Sequence, residues 1–342
     1  VKTDVGYFFE DYYLGQTFTH ATPRTVTAGD RALYTALYPT RFALTSADTF
    51  AQNCGLPSSP VEDLMAFHIV FGKTVPDISR NAVANLGYAL GRFLAPVYPG
   101  DTLTALSTVT GLRQNSNGKN GIVWVQTTGL RDGAPVLEYC RWVMVRKRDP
   151  AAPAPDPAVP ELAAVVAAEQ LVVPPGLTFA AHDSTLSGAR HLWGDYDIGE
   201  VIDHVDGTTI EEAEHMLATR LWQNTARVHF EAASRPDGRR LIYGGHIISL
   251  ARALSFNGMG NAHCIAAINA GNHANPCFAG DTVYAWSEIL DKARTAQPTV
   301  GALRVRLVAT KAPGLAGQLR DGDGKYMAQV LLDLDLWVLI PI

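Results

Sequence analysis

Two hydrophobic rhythms run along this chain, one of helical and one of strand period, and each returns in the second half. Thr27-Ala28-Gly29-Asp30 has the form of a helix N-cap with an acid at the third helical position. Thr208-Thr209-Ile210-Glu211-Glu212-Ala213 opens a comparable segment, in which Ala213, Met216, Leu217 and Leu221 share one predicted face. A further helix is predicted from near Gly245, with Ile247, Leu250 and Leu254 at helical spacing. Strand patterns follow. Leu303, Val305 and Leu307 alternate with Arg304 and Arg306, and Ala328 to Val338 alternates around Gln329, Asp333 and Asp335. Ile122 to Thr127 and Val136 to Val145 play the same part earlier, and Asp132-Gly133 and Asp321-Gly322 read as turns between such strands. Helices packed on one face of a long antiparallel sheet make an α+β layer design.

The recurrence is an internal duplication. Asp11-Tyr-Tyr-Leu-Gly15 returns as Asp195-Tyr-Asp-Ile-Gly199, an offset of 199 − 15 = 184. At that offset His20 meets His204, Leu33 meets Leu217 and Leu37 meets Leu221. Pro96-Val-Tyr-Pro-Gly-Asp-Thr102 returns as Pro276-Cys-Phe-Ala-Gly-Asp-Thr282, an offset of 282 − 102 = 180. Leu130-Arg-Asp-Gly133 is echoed by Leu319-Arg-Asp-Gly322. Between the copies lies a proline- and alanine-rich stretch that reads as a linker or a wrapped arm. The expected organisation is therefore one copy over residues 1–149, a linker over 150–175 and a second copy over 176–342.

Composition narrows the class. Of 342 residues, 47% are hydrophobic and 18% charged, enough for two cores and unlike a disordered chain. A formal net charge of −5 gives no electrostatic case for nucleic acid or for an anionic membrane. The four cysteines form no CxxC pair and no disulfide framework, and no apolar run approaches a membrane span. The opening residues are acidic and aromatic, unlike a secretory leader. The expectation is a cytoplasmic protein.

Three stretches carry a family resemblance. FFEDYYLGQTF, RFLAPVYPGDTL (Arg92 to Leu103) and the helix–loop segment between them resemble the MaoC-like hydratases. The resemblance implies a tandem (double) hotdog fold, an antiparallel sheet wrapped around a central helix in each half. It covers most of both copies. In that family an aspartate and a histidine five residues apart form the active site. The matching run here is Trp222-Gln-Asn-Thr-Ala-Arg-Val-His229, with His229 present and Asn224 at the aspartate position. In the first copy Thr40 and Thr45 stand at both places, so that copy is expected to be catalytically degenerate while shaping the acyl pocket. The stretches FHIVFGKTVPDISRNAVANLGYALGRFLAPVYPGDTL and QNTARVHF are similar to the branch that hydrates mesaconyl-CoA, a methyl-branched C4-dicarboxylic enoyl thioester.

Hydration of an enoyl-CoA needs a base to activate water, an acid to protonate the α-carbon and donors for the thioester oxygen. His229 is the candidate acid/base, because an imidazole titrates near working pH. The backbone N–H of Gly245 at a helix start is the candidate oxyanion donor. An amide cannot take a proton, so Asn224 either orients the water for a syn addition served by His229 alone, or Glu231, Glu62 or Asp63 supplies a base. Arg227 and Arg41, flanking the two equivalent loops, are the candidate cations for a distal carboxylate. His20, His204, His68 and His246 read as structural, and Gly100-Asp101 and Gly280-Asp281 as turns.

The expected ligand is a CoA thioester, with no metal or separate cofactor, no nucleic acid and no membrane, in a homodimer or higher homo-oligomer. The sequence holds no P-loop, no GxSxG in a fitting context and no HExxH. Two rivals stand beside hydration: an acyl-CoA thioesterase, since the fold hosts both chemistries, and a non-catalytic acyl-CoA-binding protein, motivated by Asn224.

Overall fold

The duplication is written into the element boundaries. The computed structural model describes residues 2–342. Strand β1 (Thr17–Thr25) and helix α1 (Ala28–Leu37) recur as β6 (Val201–Thr209) and α4 (Glu212–Leu221), each shifted by 201 − 17 = 212 − 28 = 184. Short helix α2 (Ala43–Ser46) recurs at the same offset as α5 (Arg227–Phe230). Later, β3 (Thr102–Gln114) recurs as β8 (Thr282–Arg294), shifted by 282 − 102 = 180. Helix α3 (Asp63–Thr74) answers to α6 (Gly244–Leu254). The remaining strands are β2 (Ala82–Phe93), β4 (Asn120–Arg131) and β5 (Ala134–Arg146) in the first half. In the second they are β7 (Cys264–His273), β9 (Val300–Thr310) and β10 (Val330–Pro341).

All ten strands form one antiparallel sheet in the order β1-β3-β4-β5-β2-β7-β10-β9-β8-β6. The halves join where β2 pairs with β7, Tyr88 opposite Gly271 and Arg92 opposite Ala267. Helices α3 and α6 lie inside the curve of this sheet. Every residue of α3 from Leu64 to Thr74 is buried, as expected of a largely apolar helix, and His68, Lys73 and Thr74 are buried with the rest. The result is the double hotdog that the resemblance implies.

Local chemistry sets the elements. Thr27 Oγ1 accepts from the Asp30 N–H and the Asp30 carboxylate accepts from the Thr27 N–H, closing the capping box of α1. Gly100, at φ +105°, donates to the Val26 carbonyl at 2.7 Å, and Gly280, at φ +91°, donates to the Ile210 carbonyl at 2.8 Å. Both are turns before β3 and β8, at a backbone angle that favours glycine. His20 and His204 are structural: their Nε2 atoms lie 2.8 Å from Ser107 Oγ and 2.8 Å from Ser287 Oγ, themselves equivalent.

Two sequence expectations are corrected. Helix α4 does not bury the Ala213–Met216–Leu217 face: Ala213 and Leu217 are exposed, and the buried positions are His215, Ala218, Thr219 and Leu221. The buried stripe contains polar side chains with satisfied bonds, since His215 Nε2 accepts from the Tyr243 N–H and Thr219 donates to the Met216 carbonyl. Apolar periodicity alone could not find it. Asp321-Gly322 does not join two strands directly. It lies midway in the long connection from β9 to β10, within a small loop closed by the Arg320–Tyr326 bridge. By contrast Asp132-Gly133, both at positive φ, joins β4 to β5.

The proline-rich stretch is a wrapped arm on the outer face of the sheet. Ala158 pairs with Leu112, Val166 N donates to Asn269 Oδ1 at 2.9 Å, and Trp337 Nε1 donates to the Val166 carbonyl at 3.0 Å. Val166, Leu171 and Val173 cover Ala266, Trp337 and Leu339. Its prolines lack the N–H groups that a continuous ladder needs. Among the described residues no helix is long and apolar enough to cross a membrane.

Candidate active site

Helix α4 ends at Trp222, which is buried and stacks on Tyr38 of the first half with ring centroids 6.4 Å apart. Gln223 then takes a left-handed conformation at φ +53° and turns the chain back. Asn224 N donates to the Thr219 carbonyl at 3.0 Å, and Asn224 Oδ1 accepts from the Ala226 N–H at 3.0 Å. This Asx turn fixes the amide. Its oxygen accepts one backbone hydrogen bond, and its NH2 is the group able to donate to a ligand.

One turn on, α5 carries His229. Its Nδ1 lies 2.9 Å from the Leu241 carbonyl, and Leu241 N donates back to the Val228 carbonyl at 2.9 Å. A carbonyl only accepts, so Nδ1 carries the proton and Nε2 is left as the basic nitrogen. Burial pushes the His229 pKa down to about 4, the bond to Leu241 opposing the shift in part. The imidazole is therefore neutral, and basic at Nε2, at neutral pH.

His229 and Asn224 line a cavity of about 300 Å³ that both halves build. The second half adds Tyr243, Gly244, Ile247 and His273; the first adds Phe71, Asn85, Tyr88 and Arg141. Among the described residues no aspartate or glutamate lines it. The volume suits a small acyl group, at the low end of ligand sites. Tyr243 packs edge-on to His229, ring centroids 5.4 Å apart. Tyr88 Oη lies 3.2 Å from His273 Nε2, and burial lowers the His273 pKa to about 4.

The start of α6 meets this cavity. Gly244 lines it directly, and a Cβ at Gly244 would lie 2.3 Å from His273 Cε1. Gly245 sits one residue behind, where a Cβ would lie 2.3 Å from Tyr243 Cε1 and 2.6 Å from His68 Cε1. This close packing leaves no room for a side chain at either position, and the first N–H groups of the helix have no intrahelical partner. Tyr38 packs on His246 at 5.2 Å as Trp222 packs on His68 at 5.0 Å, which makes the two histidines counterparts (246 − 68 = 178). At that offset Phe67 stands where the second half has Gly245 (245 − 178 = 67).

The equivalent loop of the first half is closed by its own side chains. Thr40 and Thr45 donate to the same oxygen of Glu62, at 2.7 and 2.6 Å. The positions answering to Asn224 and His229 thus serve a buried carboxylate rather than a ligand.

The structure brings His229 and Asn224 together, with Gly245 just behind the wall. It does not bring in the other candidates. Arg227 is exposed, and Arg41 stacks on Phe256 at 4.4 Å beside a separate cleft. Glu231 is exposed at the end of α5, Glu62 is held by the two threonines, and Asp63 accepts from Ile265 N at 2.7 Å. Sequence reasoning missed Arg141, Asn85, Tyr88, Tyr243 and His273. For Arg141 a signal existed: it occupies the inward stripe Tyr139-Arg141-Val143-Val145 of β5, a charge at an apolar position of a period-two pattern.

Comparison with known proteins gives a consistent result. The family model described as mesaconyl-CoA hydratase matches residues 2–315. A mesaconyl-CoA hydratase of Cereibacter sphaeroides is 69% identical over 342 residues, with 100% of each chain covered. A β-methylmalyl-CoA dehydratase of Chloroflexus aurantiacus is 60% identical over 346 residues, covering 99% of this chain and 98% of its own. The crystal structure of a MaoC domain protein dehydratase from Chloroflexus aurantiacus is 59% identical with a TM-score of 0.97, covering 100% of this chain and 99% of that one.

Proposed function

The chain belongs to the mesaconyl-CoA hydratase family, and on that premise we propose that its cavity carries out the reversible hydration of mesaconyl-CoA to β-methylmalyl-CoA. The observation that carries the mechanism is the pairing of a neutral His229, locked by Leu241, with an Asn224 that lines the same cavity and whose amide oxygen accepts from the Ala226 N–H.

Water held by the Asn224 NH2 gives a proton to His229 Nε2 as its oxygen bonds to the β-carbon. The alkene pair moves to the α-carbon and the carbonyl pair onto the thioester oxygen. The Gly245 N–H at the start of α6 stabilises that oxygen, an effect worth roughly 3–4 kcal/mol in comparable oxyanion holes. His229 Nε2–H then protonates the α-carbon and returns to its neutral form. One histidine serves both steps, so hydroxyl and hydrogen arrive on one face. The absence of a lining carboxylate favours this route over a separate base.

The same reading gives a CoA thioester as ligand, the cytoplasm as compartment and a homodimer or higher homo-oligomer as assembly. Four buried free cysteines suit a reducing compartment. Exposed Leu14 and Ile198, equivalent across the repeat (198 − 14 = 184), lie next to the sheet's two end strands and suit contact with a second copy. The test is to incubate the protein with mesaconyl-CoA, following loss of the conjugated enoyl-thioester absorbance beside a thiol reagent. Loss of absorbance without free thiol is expected. Thiol release would indicate a thioesterase, and no change in either channel a binding protein.

A further inference from the structure

Arg141 is fully buried in the cavity wall, at 0% exposure, and faces no carboxylate there. Its Nη2 donates to Thr74 Oγ1 and Ser79 Oγ, both at 2.8 Å. Nη1 donates to Asn85 Oδ1 through a long contact of 3.4 Å. The guanidinium lies 4.3 Å from the centre of the Phe71 ring. Two hydroxyls, an amide and an aromatic face hold the group in place, and none neutralises it. Of its five donor hydrogens, the one on Nε and one on Nη1 remain uncommitted, and Nε has no partner among the described residues. An arginine does not escape this situation by losing its proton. A buried, fixed cation with no counter-ion among the described residues is suited to pair with an anionic group. Arg252, the other buried arginine among the described residues, lies on α6 and has the Glu62 and Asp63 carboxylates acting on it.

We propose that Arg141 binds the free carboxylate of the dicarboxylic acyl group and so selects a C4-dicarboxylic thioester over its monocarboxylic counterpart. This rests on the reading of the cavity as the acyl site. In the thioester that yields β-methylmalyl-CoA, the free carboxylate hangs from the β-carbon that water attacks. Its negative charge opposes the approach of a hydroxide-like water, and a guanidinium ion pair removes that opposition. The carboxylate also turns the β-carbon toward His229, which enters the same cavity from the other half. The first half, without chemistry of its own, thereby supplies the specificity.

The test compares two saturated, unreactive ligands as competitive inhibitors or by calorimetry: methylsuccinyl-CoA, which keeps the carboxylate, and 2-methylbutyryl-CoA, which has a methyl in its place. Arg141→Met and Arg141→Lys should weaken methylsuccinyl-CoA by about a hundredfold and 2-methylbutyryl-CoA by less than about threefold. Asn85→Asp, which sets a carboxylate against Nη1, should weaken methylsuccinyl-CoA selectively even where an Arg141 variant does not fold. Equal effects on the two ligands, or none, would overturn the proposal and make Arg141 a structural prop. Because neither ligand turns over, a wild type inert toward mesaconyl-CoA would count against the hydratase reading without deciding this one.

Discussion

His229 Nδ1 lies 2.9 Å from the Leu241 carbonyl oxygen, and this contact assigns the proton to Nδ1 and leaves Nε2 basic. The exchange is reinforced by the return bond from Leu241 N to the Val228 carbonyl. His229→Gln removes the basic nitrogen while keeping a side-chain donor for Leu241. Its kcat for mesaconyl-CoA should fall about 10²–10⁴-fold, with an unchanged melting temperature as the control for folding.

The pH profile follows from burial. The His229 pKa is lowered to about 4, so the imidazole remains a base well below the usual histidine range. The acid limb of kcat/KM, measured on the folded fraction, should fall near pH 4; a limb near 6.5 would mean a solvated histidine. Stability has the same sign. His68 and His263 are lowered to about 3, and His204 and His273 to about 4, all chiefly by burial. An unfolded chain takes up protons below about pH 6.5 that the folded chain refuses. The melting temperature should therefore be at its plateau above pH 6.5 and drop as pH falls from there toward 4.

On the proposed mechanism Asn224 acts through its NH2, while its Oδ1 accepts from the Ala226 N–H. Asn224→Ala should lower kcat about 10²-fold. Asn224→Asp keeps the turn but replaces the donor with an acceptor, and should also lower kcat, by about ten- to a hundredfold. An aspartate variant faster than the native protein would show that this position wants a base.

Gly245→Ala places a methyl 2.3 Å from Tyr243 Cε1 and 2.6 Å from His68 Cε1. Tyr243 packs on the His229 ring, so its displacement would disturb both the donor and the base that the proposed mechanism uses. A fall in kcat of at least about 10²-fold is expected, with KM changing less.

The closed loop of the first half predicts a stability effect without a catalytic one. Glu62→Ala leaves the Thr40 and Thr45 hydroxyls without their shared acceptor, at 9% and 7% exposure. Denaturant unfolding should show a loss of at least about 2 kcal/mol, while kcat stays within twofold.

Much of this was legible in the chain. The Thr27–Asp30 cap, the 184-residue offset and the His229–Asn224 spacing are local or repeated signals, and the structure places them together. What escaped depends on contacts between distant segments. The buried face of α4 is polar because His215 meets the Tyr243 N–H, and no apolar count finds such a stripe. Arg227 and Arg41 lie near the two equivalent loops in sequence, whereas the cation in the wall comes from β5 of the first half. A sheet that curves round two helices brings that strand to the loop, and only the inward stripe of β5 hinted at it.

The central claim is that one histidine both activates the water and protonates the α-carbon. Its most direct test is the relative configuration of the two new stereocentres in β-methylmalyl-CoA formed from mesaconyl-CoA, determined by nuclear magnetic resonance. Addition of hydroxyl and hydrogen to the same face is the predicted result. Addition to opposite faces would require a second acid/base across the cavity from His229 and would contradict the account.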